Sequence, residues 1–435
     1  MMPGASASPF WTKPRSRSWS ASGSHNAWSH VMRTAAAAMG VLCAGLALAE
    51  MTFGGSGPLV NDMALRYFTA EEIARGKSYV EGRYVLFGVR TAITLAFFIL
   101  LTFTPLSRTL RDLSAVWAGH RPWLTLTLYA ACLLLCYRLL LLPMDLYSGY
   151  FREHIYGLST QWLGGWFKDW TKGLLLQVVL LLPTVNVLYL FIRRDPVRWF
   201  LPTTGVLAGL ILLLTFLAPV LIDPLFHTFT PLRDADLKAR VLKLADRAGI
   251  PVEEVLEVDA SRRTVKANAY VTGFGRTKRI VLYDTLVKRS SPDEVEVVLA
   301  HEMGHRIYHH LWKGVGLSIV ALFLGLGIAA IFLRWGTTRG LSAHPADPAG
   351  LPLLVLTLFV LSLVTLPLQN AISRRFERQA DLAALGLTEN RDAYIKVEVD
   401  LARSNLADII PPRWAVFLLY THPPVLERIA IAEQP

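Results

Sequence analysis

His301, Glu302 and His305 are the residues whose types and spacing carry chemistry most directly in this chain. On a helix, residues four apart lie on one face, so the two imidazoles can grip a single zinc ion. Glu302 then lies beside the metal, placed to take a proton from its water. His-Glu-Met-Gly-His is the H-E-x-x-H arrangement of zinc metalloproteases. The chain has 11 His in 435 residues, and chance supplies roughly 0.01 such matches at this composition. The motif therefore points to a metal site.

A catalytic zinc typically takes three protein ligands and keeps one position for water. Glu377 is the expected third ligand, completing a His301, His305, Glu377 set with one zinc ion per chain. Zinc lowers the pKa of its water to about 7. Glu302 is the expected catalytic base, taking that proton and passing it to the leaving amine. Asp381 lies one helical turn after Glu377 and is expected to hold a ligand histidine through its ring N–H. Plainer readings stand beside these. Glu377 also reads as an ion-pair partner of Arg374 or Arg378, and Asp381 as a local cap. His309 and His310 read as interfacial surface residues.

Composition says what positions these groups. The chain is 53% hydrophobic and 18% charged, against about a quarter charged in a soluble domain. Six apolar runs explain the deficit: 85–107, 124–146, 174–192, 201–222, 313–333 and 351–371. Each is near the ~20 residues that a spanning helix needs. The chain is read as a mainly α, multi-pass integral membrane protein whose surroundings are the lipid bilayer. The last two runs form a hairpin, so Glu377 returns to the side of the membrane that holds His305. That hairpin lets the two meet although 72 residues (377 minus 305) separate them. A seventh run, 34–50, ends in Ala47-Leu48-Ala49 and reads either as a signal peptide or as a first span. Residues 1–33 read as a disordered or non-native extension.

The formal net charge is +11. No basic cluster with interleaved aromatics accompanies it, so no nucleic-acid partner is expected. Arg and Lys sit instead at the ends of apolar runs, as membrane proteins place them. Cys43, Cys132 and Cys136 all lie in apolar runs and read as structural filler.

Two polar connections interrupt the first 222 residues. One contains Thr69-Ala70-Glu71-Glu72, a capping box expected to start a short helix before the span. The other, 147–173, carries aromatics and charges suited to a membrane surface, including Glu153, His154, Lys168 and Asp169. From 223 to 312 the character changes. Leu237, Val241, Leu244 and Ala248 recur at helical spacing until Gly249 and Pro251. Strands are expected at 255–258, 269–272 and 280–283, with Gly273-Phe274-Gly275 as a hairpin turn between the last two. Ser291-Pro292-Asp293-Glu294 then opens the helix that carries His301 and His305. The expected domains are 51–222, a membrane domain of four spans, and 223–435, a zinc metallopeptidase domain with spans 313–333 and 351–371 inserted.

With these motifs in view, the chain resembles the type-1 CAAX prenyl protease family, membrane zinc metallopeptidases with a glutamate third ligand. The resemblance rests on His301–His305 with Glu377 and Asp381, and on Asp223-Pro224-Leu225-Phe226-His227. It rests also on Asn268-Ala269-Tyr270-Val271-Thr272-Gly273, on Lys278 to Leu286, and on His422-Pro423 with Arg428. It covers nearly all of the chain after the N-terminal segment, and the compact loops look bacterial rather than eukaryotic. It implies a helical bundle enclosing a chamber, with a gluzincin-type α+β zinc peptidase domain. It implies that Asn268, Ala269 and Tyr270 bind the substrate backbone as an added strand. It implies that His422 stabilises the oxyanion and that Arg428 supports the substrate site.

The function expected is that of an integral-membrane zinc metalloendopeptidase acting on peptides or membrane proteins. The nearest rival is a heat-shock-type quality-control protease of the same clan. A rival of another class is a non-enzymatic membrane protein with a structural zinc, which needs no base at Glu302. A bacterial inner membrane is expected. If 34–50 spans, the basic loops Arg108–Arg121 and Arg193–Arg198 share the N-terminal side, and the positive-inside rule puts that side in the cytoplasm. Residues 223–312 then lie in the periplasm, whereas the resemblance puts the catalytic domain in the cytosol.

Overall fold

The computed structural model describes residues 58–273 and 278–434. The expected extension 1–33, the expected signal peptide or first span 34–50 with Cys43, and Phe274-Gly275 of the expected turn lie outside the described residues.

Among the described residues, six helices are long and apolar enough to cross a membrane. After a short helix α1 (Pro58–Tyr67), the first of the six is α2 (Ala70–Phe103). Both hydrogen bonds of the Thr69–Glu72 capping box form, but the helix they open is not short. No proline interrupts the sequence from Ala70 to Phe103, so the turn that the box nucleates runs directly into the apolar span. The stretch expected as a loop after it holds α3 (Leu106–Trp117). That helix sets Ser107 and Ser114 inward and leaves Trp117 exposed.

The next three spans follow the expected runs. α4 (Pro122–Leu146) continues through a π-helical turn, Tyr147–Phe151, and the single turn Arg152–Ile155. α5 covers Leu163–Arg194. α6 (Phe200–Leu217) continues through a second π-helical turn, Ala218–Ile222, to Phe226. Val179, Val206 and Leu213 stay exposed on these helices, which suits a surface solvated by lipid tails.

A four-stranded sheet follows, with order β1-β2-β4-β3. β1 (Phe229–Pro231) pairs antiparallel with β2 (Glu254–Val258), and β2 pairs parallel with β4 (Arg279–Tyr283). β3 (Ala269–Thr272) pairs antiparallel with β4 and forms one edge of the sheet. Between β1 and β2 runs α7 (Ala235–Arg247), ended by Gly249 at φ +67. Leu237, Val241 and Leu244 of α7 join Val255, Ile280 and Leu282 of the sheet in one buried core.

That core also takes Val295, Leu299 and Met303. These belong to α9 (Pro292–Ile307), which follows α8 (Asp284–Arg289). Ser291 and Glu294 close the expected capping box at the start of α9. His309, at φ +55, breaks the chain sharply into α10 (His310–Thr338). α11 (Leu351–Thr388) returns. At 1.5 Å per residue its 38 residues extend about 57 Å, nearly twice a hydrocarbon core. Its last third therefore projects out of the membrane and lies against α9. α12 (Arg391–Ser404), α13 (Arg413–Leu419) and α14 (Val425–Glu433) finish the fold.

Contact between α9 and α11 requires the absence of a side chain at Gly304. A Cβ there would stand 2.9 Å from both the Ala380 Cα and the Ala383 Cβ. Overpacking of this kind costs about 1–3 kcal/mol, more than the ~1 kcal/mol by which alanine outranks glycine in a helix. Gly304→Ala is expected to lower the thermal unfolding midpoint measured in detergent. An unchanged or raised midpoint would show that α9 and α11 can part without loss.

Candidate active site

α9 presents His301 and His305 on one face, and α11 brings Glu377 opposite them. His301 Nε2 lies 3.2 Å from His305 Nε2 and 3.2 Å from Glu377 Oε2. His305 Nε2 lies 3.6 Å from Glu377 Oε1. Glu377 is 7% exposed, and its carboxylate faces the histidine rings. Its flanking arginines face elsewhere: Arg374 donates to the Val416 and Tyr420 carbonyls, and Arg378 pairs with Glu427. The ion-pair reading of Glu377 is not what the geometry shows.

Tautomers assigned from the hydrogen-bond network leave these three residues with lone pairs turned on one another. His301 Nδ1 donates to Asp381 Oδ1 at 2.9 Å, which leaves a neutral His301 with a bare Nε2. On the other side, His310 Nε2 donates to Gln379 Oε1 at 2.9 Å, so His310 Nδ1 is an acceptor. His305 Nδ1 donates to it at 3.0 Å, and His305 Nε2 is bare too. Two imidazole nitrogens and a carboxylate thus converge within 4.8 Å. Lone pairs this close repel unless a cation lies among them. Two imidazoles and a carboxylate are also a common zinc donor set, so these residues fit a metal.

Burial shapes the electrostatics. It pushes the Glu302 carboxyl up to about 7, with the Glu377 charge adding to the effect against the pull of His301. Burial also pulls His305 down to about 4, and charge on His301 lowers it further. His301 goes the other way: burial opposes its charge, but hydrogen bonds to Asp381 and Glu377 outweigh burial and raise it to about 9.

The other expected residues take definite places. Asp381 is fully buried, and it accepts from the guanidinium of Arg428 at 2.6 and 3.1 Å as well as from His301. Arg428 also pairs with Glu398 at 2.7 Å. Arg428 was expected beside substrate, whereas its guanidinium is spent on these two carboxylates behind the histidine pair. His422 Nε2 lies 3.3 Å from Glu377 Oε2, on a side chain 58% exposed. It joins the cluster from the segment between α13 and α14. Asn268 is exposed at the start of edge strand β3. Ala269 is buried and Tyr270 partly so.

His310 departs from the sequence reading. It is buried rather than on the surface, stacked on Phe376 with ring centroids 4.3 Å apart. The αL turn at His309 swings it back under His305, a direction that spacing alone does not reveal. Gln379 and Glu398 were missed altogether. Gln379, two residues beyond Glu377, was the one with a usable signal.

Comparison with known proteins agrees with this geometry. The model of peptidase family M48 matches residues 231–435, and the model described as "CAAX prenyl protease N-terminal, five membrane helices" matches residues 61–228. A Bacillus subtilis protein named as an uncharacterized metalloprotease, YhfN, is 33% identical over 85% of this chain and 87% of its own length. The chain belongs to peptidase family M48. CAAX prenyl protease 1 of Saccharomyces cerevisiae is 32% identical over 66% of this chain and 67% of its own. The crystal structure of S. mikatae Ste24p superposes with a TM-score of 0.76 at 25% identity, covering 88% of this chain and 93% of that one. The M48 chain described here is thus a membrane metalloendopeptidase of the CAAX prenyl protease type: a mainly α bundle with a membrane chamber and a small-sheet peptidase domain.

Residues that orient a ligand histidine typically change metal affinity 10- to 100-fold when removed. His310→Ala is therefore expected to weaken metal binding by about that factor, measured by competition with a chromogenic chelator. His309→Ala serves as the control at the neighbouring exposed position. Equal affinity in wild type and His310→Ala would detach His310 from the site.

Proposed function

We propose that this M48 protease holds one zinc ion per chain on His301, His305 and Glu377, and uses it to hydrolyse peptide bonds in peptides or membrane proteins. The observation that carries the proposal is the convergence of three ligand atoms within 4.8 Å, with the other ring nitrogen of each histidine engaged by Asp381 or His310. When bound, zinc supplies a Lewis acid at the scissile bond. Glu302 takes the proton of the attacking water and delivers it to the leaving amine. Burial favours both halves of that task, because a carboxyl near 7 exchanges protons readily at neutral pH. Asp381 fixes the His301 ring, and Arg428 fixes Asp381. His422 reaches the cluster from an exposed loop and steadies the developing oxyanion. Asn268, Ala269 and Tyr270 take the substrate backbone along the open edge of β3.

The proposed setting is a bacterial inner membrane with residues 223–312 on the periplasmic side. Three described spans separate the Arg108–Arg121 loop from the peptidase module and one separates Arg193–Arg198 from it, so both loops lie opposite that module. Those loops are rich in arginine, which favours the cytoplasm. A cysteine-accessibility map is expected to label Ser291→Cys from outside intact cells and Arg108→Cys only after permeabilisation. The reverse pattern would overturn the orientation.

Metal content and cleavage test the chemistry together. Wild type is expected to carry one zinc per chain by elemental analysis, Glu302→Ala to keep it, and His301→Ala or Glu377→Ala to lose it. On a pool of prenylated and unprenylated peptides read by mass spectrometry, Glu302→Ala is expected to lose about 10²- to 10⁴-fold of activity. Equal turnover by wild type and Glu302→Ala would point to a structural zinc. Cleavage of the prenylated peptides alone would define the substrate as a lipidated chain end.

A further inference from the structure

The last turn of α9 also touches the edge strand, outside the metal cluster. Arg306 lies one turn past Glu302 and shares its helix face. Its guanidinium donates to the Val271 carbonyl at 2.7 Å. In an antiparallel ladder, alternate residues exchange both backbone bonds with their partner. The Tyr283 N–H donates to the Asn268 carbonyl at 3.0 Å, so Asn268, Tyr270 and Thr272 bond toward β4. Ala269 and Val271 therefore turn their N–H and C=O groups away from β4, where the Ala269 N–H meets Asn268 Oδ1 at 2.9 Å. Arg306 stands on that side of β3, and a peptide that pairs along β3 meets it at Val271.

Arg306 also lines a cavity of ≈490 Å³, together with Tyr270, Thr272 and four charged residues. Those four are Glu253, Glu254, Lys278 and Arg279. Among the described lining residues, two acids against two bases leave Arg306 as the extra cation. Among the described residues its hydrogen-bond partner is the one Val271 carbonyl, and Glu302 acts on it only through space. A guanidinium has five N–H donors in a planar fork that matches a carboxylate. Half-buried with a single carbonyl partner, it lacks the anion that such a group ordinarily meets.

We propose that Arg306 and this cavity form a carboxylate subsite for the peptide substrate. The carboxylate comes from the peptide C-terminus or from an Asp or Glu side chain. The proposal rests on the peptidase reading, with β3 as the docking edge, and names the substrate chemistry of that site. Arg306 binds through a charged, forked hydrogen bond, so an acid is preferred to its neutral isostere.

Four labelled peptides of one sequence test it: free acid, C-terminal amide, and versions with internal Glu or Gln. Their binding is measured to the zinc-loaded full chain carrying Glu302→Gln, alone and with Arg306→Gln or Arg306→Lys added. Cleavage by the wild-type enzyme is followed in parallel. Charged hydrogen bonds of this kind correspond to about 10- to 100-fold in affinity. The parent is expected to prefer one acid over its neutral partner by that factor. Which pair shows the preference identifies the source of the carboxylate. Arg306→Gln is expected to erase the preference and Arg306→Lys to keep part of it. A preference that survives in Arg306→Gln, or a parent with none, overturns the subsite. So does an equal loss for acid and neutral peptides, which would make Arg306 only a brace for Val271. Cleavage of all four peptides at equal rates sinks the subsite and leaves the peptidase standing. Failure to bind or cleave any of them sinks both.

Discussion

α9 and α11 lie against each other with no side chain between Gly304 and Ala380, and the metal site depends on that closeness. His301 and His305 come from one helix, and Glu377 arrives only after two membrane crossings. A hairpin of spans is a stiff way to bring back a distant residue, because each helix satisfies its own backbone in lipid. The bilayer thereby helps set the register in which α11 emerges. Asp381 and Gln379 arrive on the same helix, so one docking event places a ligand, the partner of His301 and the group that holds His310 beneath His305.

The first half of the chain is joined to the peptidase half by more than proximity. Residues 158–160 pair with 263–265 through backbone hydrogen bonds and an isolated bridge between Ser159 and Thr264. Lys266 pairs with Glu153 at 2.8 Å, and Arg263 with Asp169 at 2.8 Å. Of the polar groups of the 147–173 connection, Glu153 and Asp169 are engaged in this way, and Asp169 also lines a cavity with Trp166, Trp170 and Arg263, while His154 and Lys168 are exposed. Partly buried ion pairs add little net stability. Here their use is positional, since the paired segment runs straight on to Asn268 and the edge of β3. One short stretch of chain, 263–272, therefore carries the junction at one end and the proposed docking edge at the other.

What the sequence reveals follows from the range of each interaction. The H-E-x-x-H spacing, the two capping boxes and the apolar runs are local, and the structure holds all of them within a few residues. The return of Glu377 was legible because a hairpin of spans leaves one side for it to emerge on. β1 was not legible: three residues ending in Pro231 have no periodicity to read. The unbroken length of α2 was hidden by the polar face of its first turns, which looks like a separate helix. Glu398 was hidden differently. Its place opposite Arg428 depends on how α12 packs on α14, and no spacing rule spans two independent helices.

Charge in the buried cluster explains why a cation belongs there. Glu377, Asp381 and Glu398 are three buried carboxylates, and Arg428 is the one guanidinium among them. The carboxylates outnumber that guanidinium, and the buried Glu302 carboxyl stands beside them, so the cluster carries excess negative charge. A low-dielectric site does not tolerate that balance without compensation. Without a metal the cluster draws a proton onto His301, whose hydrogen bonds to Asp381 and Glu377 overcome burial and raise it to about 9. That proton offsets part of the excess, and a cation held on His301, His305 and Glu377 would offset more. The same carboxylates that hold the histidines in place therefore also favour a cation between them.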